Sequence, residues 1–116
     1  MIPNYKILNV LNFISQPATF WRKSVLDEIG YLDENLVYNM DYDLWLRIGK
    51  YYPLHVIKQE LAAFRMHRVS KSISSYEDEF TEDLRVLRKY TNSQFTILLH
   101  QMHNKLITGV YKILNR

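Results

Sequence analysis

The chain has 116 residues, 47% of them hydrophobic, with a formal net charge of +3 at pH 7 and no cysteine. This composition supports one modest globular domain, and it excludes a disulfide framework, a cysteine nucleophile and a thiolate metal site. No apolar run approaches the ~20 residues that cross a bilayer, and the first residues lack the apolar stretch of a signal peptide, so we expect a cytoplasmic chain. The basic residues are scattered rather than gathered in a stripe, so nucleic acid is not an expected partner.

Short helices and apparent strands alternate along the first part of the chain. Residues 5–14 favour a short helix or an irregular lead-in. Residues 16–22 are rich in β-formers, which predicts a strand. Residues 24–30 predict a short helix that closes at Gly30, a position where a left-handed residue is favoured.

The second part of the chain is predicted to hold a strand pair and two helices. Residues 55–57 and 61–66 predict two short strands of a hairpin or a sheet edge. After a polar loop, Ser74 or Ser75 caps a helix whose acidic start and basic end match the helix dipole, so we interpret its acid run as structural. A final helix at residues 94–113 carries an apolar stripe, and such a stripe most often packs on its own domain. The stripe consists of Leu98, Met102, Leu106, Val110 and Ile113.

A helix that begins at Asn39 and ends near residues 49–53 carries two acids close to its start. Spacings of three and four place Asp41 at the tip of an apolar face, while Asp43 and Arg47 form an i,i+4 pair on another face. An acid held at the edge of a buried face suits a general base. The alternative is an N-terminal acid that stabilises its own helix by ~0.3–1 kcal/mol.

Two further patterns leave alternatives open. Asp41 and Asp43 form an Asp-x-Asp, a spacing found in oxygen-ligand metal sites, but on a helix the two side chains point ~200° apart. His67 follows a predicted strand near Arg65 and Lys71, so it could meet a diphosphate or its bound metal. A lone histidine at a strand end is more often a polar surface residue.

Four segments in this order resemble the C-terminal half of family 2 glycosyltransferases, the inverting GT-A enzymes that use nucleotide-sugar donors. The segments are ISQPATFWRK at residues 14–23, GYLDENL at 30–36, MDYDLWLR at 40–47 and LAAFRMH at 61–67, the last followed by Ser70 and Ser72. The resemblance implies an α+β fold, the C-terminal portion of a GT-A-like α/β fold with short strands, several helices and a C-terminal amphipathic helix. Residues 1–75 would form the acceptor-side portion of the domain, and residues 76–116 a helical extension packed on it.

The resemblance also implies roles for residues of the third and fourth segments. Asp41 matches the general base that takes the proton of an acceptor hydroxyl, although Met40 stands where the family motif has an acid. Asp43 and Arg47 match a supporting pair. His67 matches a late histidine on the diphosphate or metal side.

Other residues match the surroundings of such a site. Arg65 and Lys71 would assist on the diphosphate side, and Gln16, Thr19 and Trp21 would line the acceptor and donor-sugar side. An ordinary core strand is the alternative for that last group. The implied activity is transfer of a sugar from a nucleotide-sugar donor to a saccharide or lipid-linked acceptor, as in polysaccharide biosynthesis. Mn²⁺ or Mg²⁺ is expected in the intact enzyme, and this chain, without the nucleotide-binding half, is expected to be inactive on its own.

A second hypothesis places the chain in another class, as a non-catalytic interaction module. In this hypothesis the chain forms a homo-oligomer through its C-terminal amphipathic helix. Lys105, Lys112 and Arg116 lie beside the apolar stripe and would also suit an anionic membrane. A peripheral location on the inner face of the membrane is therefore the alternative to a free cytoplasmic one.

Overall fold

The computed structural model describes residues 4–63 and 73–114, which form five α-helices and one short 3-10 helix. The helices are α1 (Tyr5–Leu8), α2 (Lys23–Ile29), α3 (Met40–Tyr51), α4 (Ile73–Arg88) and α5 (Gln94–Leu114), and the 3-10 helix is Gln16–Ala18. No residue of the two described ranges lies in a β-strand. The helices predicted at residues 24–30, after Asn39 and at residues 94–113 are confirmed to within one or two residues.

The predicted α+β fold with short strands is wrong, because the architecture of the described residues is all-helical. Residues 16–22, predicted as a strand, begin with the 3-10 helix, and Pro17 lies in its first turn. The Thr19 hydroxyl donates to the Ser15 carbonyl (2.7 Å), which closes this turn. Thr19 and Arg22 have extended backbone, but no strand in the described ranges lies beside them, and a strand needs a partner to satisfy its backbone groups.

The strand pair predicted at residues 55–57 and 61–66 is also not found in the described part of the chain. Residues 55–63 have no regular secondary structure, and apolar members such as Val56 are exposed. Residues 64–66 lie outside the described residues. Alternating apolar and polar residues form a strand only where a neighbouring strand is present to pair with them. A lone two-stranded hairpin is only marginally stable in water.

Helix α3 lies at the centre of the fold and is buried around most of its circumference. Leu44, Trp45 and Leu46 are each at most 2% exposed. Side chains from three other segments pack in the same core: Leu8 of α1, Leu36 of the loop before α3, and Val86 of α4. Because α3 is covered on several sides, the residues at its N-terminus are held in fixed positions.

Helix α1 contacts α3 at Gly49, where the absence of a side chain permits a close approach. A Cβ atom at Gly49 would lie 3.1 Å from Cδ2 of Tyr5 and 3.4 Å from Cδ2 of Leu8, so a larger residue would require the Tyr5 ring to move by a few tenths of an ångström. The Tyr42 hydroxyl donates to the Leu8 carbonyl (2.8 Å), and burial raises the pKa of Tyr42 far above its usual value. This bond satisfies a carbonyl at the C-terminus of α1.

Helix α5 packs on the rest of the protein largely through polar residues. His100 is 1% exposed, and its Nδ1 lies 3.2 Å from the Asn9 carbonyl oxygen. Nε2 of His100 lies 2.9 Å from Oδ1 of Asp83, within ion-pair range but not aligned as a hydrogen bond. Asn104 Nδ2 donates to Oδ2 of Asp83 (3.2 Å). His100 and Asn104 therefore lie on the side of α5 that faces the core.

The apolar stripe of α5 faces outward, so the prediction that it packs on the domain is wrong. Leu98, Met102, Leu106, Val110 and Ile113 are 44–74% exposed. Helical periodicity identifies residues that share a face, but it does not show what that face contacts. The polar face is buried instead, because the Asn9 carbonyl lies 3.2 Å from Nδ1 of His100 and Asp83 accepts the Asn104 amide.

Glu82, from the acid run of α4, covers the N-terminus of α3. Its carboxylate accepts hydrogen bonds from the backbone N–H groups of Val37, Tyr38 and Asn39 at 3.0, 2.8 and 2.8 Å. The side chain of Asn39, predicted as the helix cap, makes no capping bond and donates to the Glu79 carbonyl (2.9 Å). The acid run was predicted to stabilise the start of its own helix, but the first turn of α4 contains no acid, and Glu82 binds the segment before α3 instead.

Glu82→Gln is expected to lower the free energy of unfolding by about 1.5–3 kcal/mol at pH 7, the range for hydrogen bonds to a charged group. Burial alone would raise the pKa of Glu82, but the backbone N–H donors outweigh it and hold the pKa below its ordinary value of 4.5. The stabilisation is therefore present above pH 4.5 and is lost as the pH falls through the lowered pKa of the folded protein. Urea unfolding at a series of pH values measures it.

The wild-type and Glu82→Gln proteins should differ at pH 7 and converge in acid. Glu34→Gln removes an exposed carboxylate and serves as the control, with a change of less than about 0.5 kcal/mol at either pH. Equal stability of wild-type protein and Glu82→Gln at pH 7 would show that the carboxylate does not hold α3 to α4.

Candidate functional site

A groove of about 680 Å³ lies between the segment around the 3-10 helix, α3 and the irregular segment after α3. Its aromatic wall consists of Phe13, Phe20, Trp21, Trp45 and Tyr52. Its polar side chains are those of Ser15, Thr19, Arg22, His55 and Gln59. A concave and mainly apolar surface with a few polar groups is typical of small-molecule binding sites.

Trp21 and Trp45 contact each other edge to face in this groove. Their ring centroids are 5.3 Å apart and their planes are inclined by 67°, an arrangement that aromatic pairs favour. Trp45 is 2% exposed and Trp21 is 40% exposed, so a buried indole supports an accessible one. The adjacent Phe20 is 75% exposed. The alternative interpretation of this segment as an ordinary core strand is therefore wrong, because the Phe20 and Trp21 rings face solvent.

The residues predicted for the acceptor side are only partly brought together. Thr19 and Trp21 line the groove, whereas Gln16 is exposed at the start of the 3-10 helix and is not part of the wall formed by the described residues. Asp41 is half-buried in the first turn of α3, and its Oδ1 accepts the backbone N–H of Tyr42 (2.7 Å). Asp41 lies four residues before Trp45, so the two share a side of α3, but Asp41 is not among the described residues that line the groove.

Asp43 and Arg47 form the predicted i,i+4 ion pair, with Nε of Arg47 3.0 Å from Oδ2 of Asp43. The guanidinium also donates to the carbonyls of Ile29 (3.1 Å), Gly30 (3.0 Å) and Tyr31 (2.7 Å). These carbonyls lie where α2 ends and lack helical partners. Gly30 has the positive φ (90°) predicted for it, which glycine adopts without strain. Arg47 therefore joins the C-terminus of α2 to α3.

Asp43 has two further partners that the sequence did not indicate. Its Oδ1 accepts the Tyr90 hydroxyl (2.7 Å) and lies 3.5 Å from Nζ of Lys89. Burial, and then the bond to Asp43, raise the pKa of Tyr90 well above its usual value, so the phenol remains a donor. Asp43 is 2% exposed. Its carboxylate therefore holds α3 to the residues that follow α4.

The Asp-x-Asp does not provide a divalent metal site. Both oxygens of Asp43 are bound by Arg47 and Tyr90, and Asp41 projects from another face of the helix. Among the residues that the structure describes, no group of three or more His, Asp or Glu side chains is arranged to hold an ion. We therefore assign no metal chemistry to Asp41 and Asp43. The residues predicted for the diphosphate or metal side lie outside the described ranges: Arg65, His67 and Lys71.

Comparison with known proteins identifies no relative of this chain. The chain matches no protein-family model, no curated protein and no solved structure. None of the helices in the described ranges is long and apolar enough to span a bilayer. The function must therefore be inferred from the groove, from α3 and from the surface of the protein.

Proposed function

We propose that this chain forms the acceptor side of an inverting glycosyltransferase, with Asp41 as the general base. The observation that carries the proposal is the aromatic groove, because Thr19 and Trp21, expected to contact sugar, line it together with Trp45. Aromatic rings offer flat apolar surfaces to the C–H faces of a sugar, and neighbouring polar side chains can bind its hydroxyls. Asp41 lies about one helical turn from Trp45.

In the proposed reaction, Asp41 accepts the proton of an acceptor hydroxyl while the hydroxyl oxygen attacks the anomeric carbon of the donor. The bond between that carbon and the phosphate oxygen breaks, the nucleoside diphosphate leaves with the bonding electrons, and the configuration inverts. Asp41 lies in the first turn of α3, and the N-terminus of a helix is electropositive. In this proposal His67 assists at the leaving diphosphate, as the family resemblance implies.

Asp43 and Arg47 serve in this proposal as positioning residues rather than as catalytic ones. Their contacts with the end of α2 and with Tyr90 fix α3 on two sides. Glu82 fixes the N-terminus of the same helix. A general base must be held within hydrogen-bond reach of the proton it takes, and these contacts supply that constraint.

Intrinsic fluorescence tests the groove directly, since it contains both tryptophans of the chain. Titration with methyl glycosides of glucose, galactose and rhamnose is expected to change the emission saturably for at least one sugar. Phe20→Ala should weaken that binding about tenfold, because an exposed aromatic contact of the groove is lost. Asp41→Asn should leave the affinity unchanged, because the base acts on the transfer step.

Phe95→Ala is the matched control, since Phe95 of α5 is 70% exposed and Phe20 is 75% exposed. It should not change glycoside binding. Absence of a saturable response to every glycoside, or equal losses in the two phenylalanine variants, would contradict a sugar site in the groove.

Calorimetric titration with uridine diphosphate and Mn²⁺ tests the diphosphate side. Binding that His67→Ala removes and Asp41→Asn keeps would support the roles expected for these two residues.

The outward stripe of α5 supports a second candidate, the non-catalytic interaction module. The two candidates make different predictions for the groove. A module that acts through α5 alone has no reason to bind glycosides, whereas the acceptor side of a glycosyltransferase must bind one. The glycoside titration therefore distinguishes them.

A further inference from the structure

The outward face of α5 is an uncovered apolar surface along about 30 Å of helix. Its residues follow one another at steps of three and four, and each is 44–74% exposed. They are Phe95, Leu98, Met102, Leu106, Val110 and Ile113. Monomeric proteins seldom expose a contiguous apolar patch of more than a few hundred Å² unless the patch binds something.

This face lies away from the face by which α5 packs. At about 100° per residue, Met102 and Leu106 lie roughly 120–160° around the helix from His100 and Asn104. His100 and Asn104 are buried against Asp83. An extended surface can therefore cover the stripe while the contacts of α5 with the rest of the protein stay intact.

The charges of α5 are of one sign. Lys105 and Lys112 are exposed beside the stripe, and residues 94–114 contain no Asp or Glu. The nearest recorded acid is Glu77 of α4, whose exposed carboxylate lies 3.9 Å from Nζ of Lys112. A helix with a wide aliphatic face, lysines beside it and no acids matches the pattern of helices that lie in the interface of an anionic bilayer. The apolar stems of the lysines can follow the lipid-facing side while the ammonium groups reach phosphate.

We propose that α5 docks on an anionic lipid surface, with its apolar stripe among the acyl chains and Lys105 and Lys112 at the lipid phosphates. A second copy of the chain fits this face less well. Antiparallel packing of two α5 helices about Met102 and Leu106 brings the Lys105 residues of the two copies near each other, and α5 has no acid to offset them. The proposal does not depend on glycosyl transfer.

Vesicle flotation of the full chain tests the proposal. The chain is expected to float with vesicles of phosphatidylcholine and phosphatidylglycerol, and much less with phosphatidylcholine alone. Lys105→Gln and Lys112→Gln together should weaken binding to the anionic vesicles about fivefold for each lysine removed. Leu106→Asp should weaken it more than tenfold, because a carboxylate enters the apolar face and opposes the anionic lipid.

Ile57→Asp is the matched control, because Ile57 is 59% exposed, comparable to Leu106 at 66%, but lies outside α5. It should float like the wild-type chain, and circular dichroism confirms that each variant is folded. Failure of the folded chain to bind anionic vesicles would overturn the proposal, and so would equal binding to neutral vesicles. Sedimentation velocity tests the alternative that a second copy of the chain binds the apolar face of α5. A dimer that Leu106→Asp dissociates, without vesicle binding, would show that a second copy covers the face.

Discussion

Asp43→Ala is expected to lower the free energy of unfolding by about 3–5 kcal/mol, the range for removing one partner of a buried ion pair. The substitution leaves the Arg47 guanidinium, whose side chain is 18% exposed, without its carboxylate. It also removes the acceptor of the Tyr90 hydroxyl. Guanidinium unfolding followed by tryptophan emission and by circular dichroism measures the loss.

Asp27→Ala is the matched control, because Asp27 and Lys23 also form an i,i+4 pair but are exposed (3.9 Å; side chains 51% and 83% accessible). It should cost less than about 1 kcal/mol. If Asp43→Ala does not fold, Tyr90→Phe removes a single partner of Asp43 and should cost about 1 kcal/mol. Similar stabilities of Asp43→Ala and Asp27→Ala would show that the buried carboxylate does not hold α3 in place.

Asp83→Ala is expected to cost about 1–3 kcal/mol, because it leaves the buried Asn104 amide without its acceptor. Nε2 of His100 and Nδ2 of Asn104 both face the Asp83 carboxylate, at 2.9 and 3.2 Å. Loss of this contact should also open α5, which raises the hydrogen-exchange rates of its backbone amides more than those of α3. Denaturant unfolding and hydrogen exchange measure the two effects.

Glu77→Ala is the control for this contact, since Glu77 lies 3.9 Å from Lys112 between the same two helices and both side chains are more than half exposed. It should change stability by less than about 1 kcal/mol. In a double-mutant cycle, Asp83→Ala combined with His100→Ala should cost less than the sum of the two single losses, because the two residues share one contact. Additive losses would mean that the two side chains stabilise α5 independently.

Local signals in the sequence predicted three of the helices well. The helices that follow residue 23 and Asn39 and the last helix have polar starts and regular apolar spacing, and such signals depend on neighbours within one or two turns. The pair of Asp43 and Arg47 was predictable for the same reason, because its spacing of four lies within one helix. Local rules therefore predicted the central helix α3 and one ion pair within it.

Long-range partners were beyond such rules. Tyr90 binds Asp43 across 47 residues of sequence, and Glu82 binds Asn39 across 43. The strand predictions failed because alternation of apolar residues cannot show whether another strand is present to pair with them. The face of α5 was assigned to the wrong side because its buried polar residues are satisfied by groups on other segments. The aromatic residues of the groove can be recognised in the sequence. Their exposure to solvent depends on long-range packing, which local sequence patterns do not predict.

The contact between His100 and the Asn9 carbonyl joins positions 91 residues apart. During synthesis Asn9 therefore leaves the ribosome before His100, its partner in this contact, has been made. Contacts of such large sequence separation slow folding, because a long loop must close before the contact forms. Until then the aromatic surface around Phe20 and Trp21 and the unfinished sides of α3 are exposed together, a state prone to aggregation. We therefore expect the yield of folded protein to depend on chaperones and on translation rate more than its native stability alone would indicate.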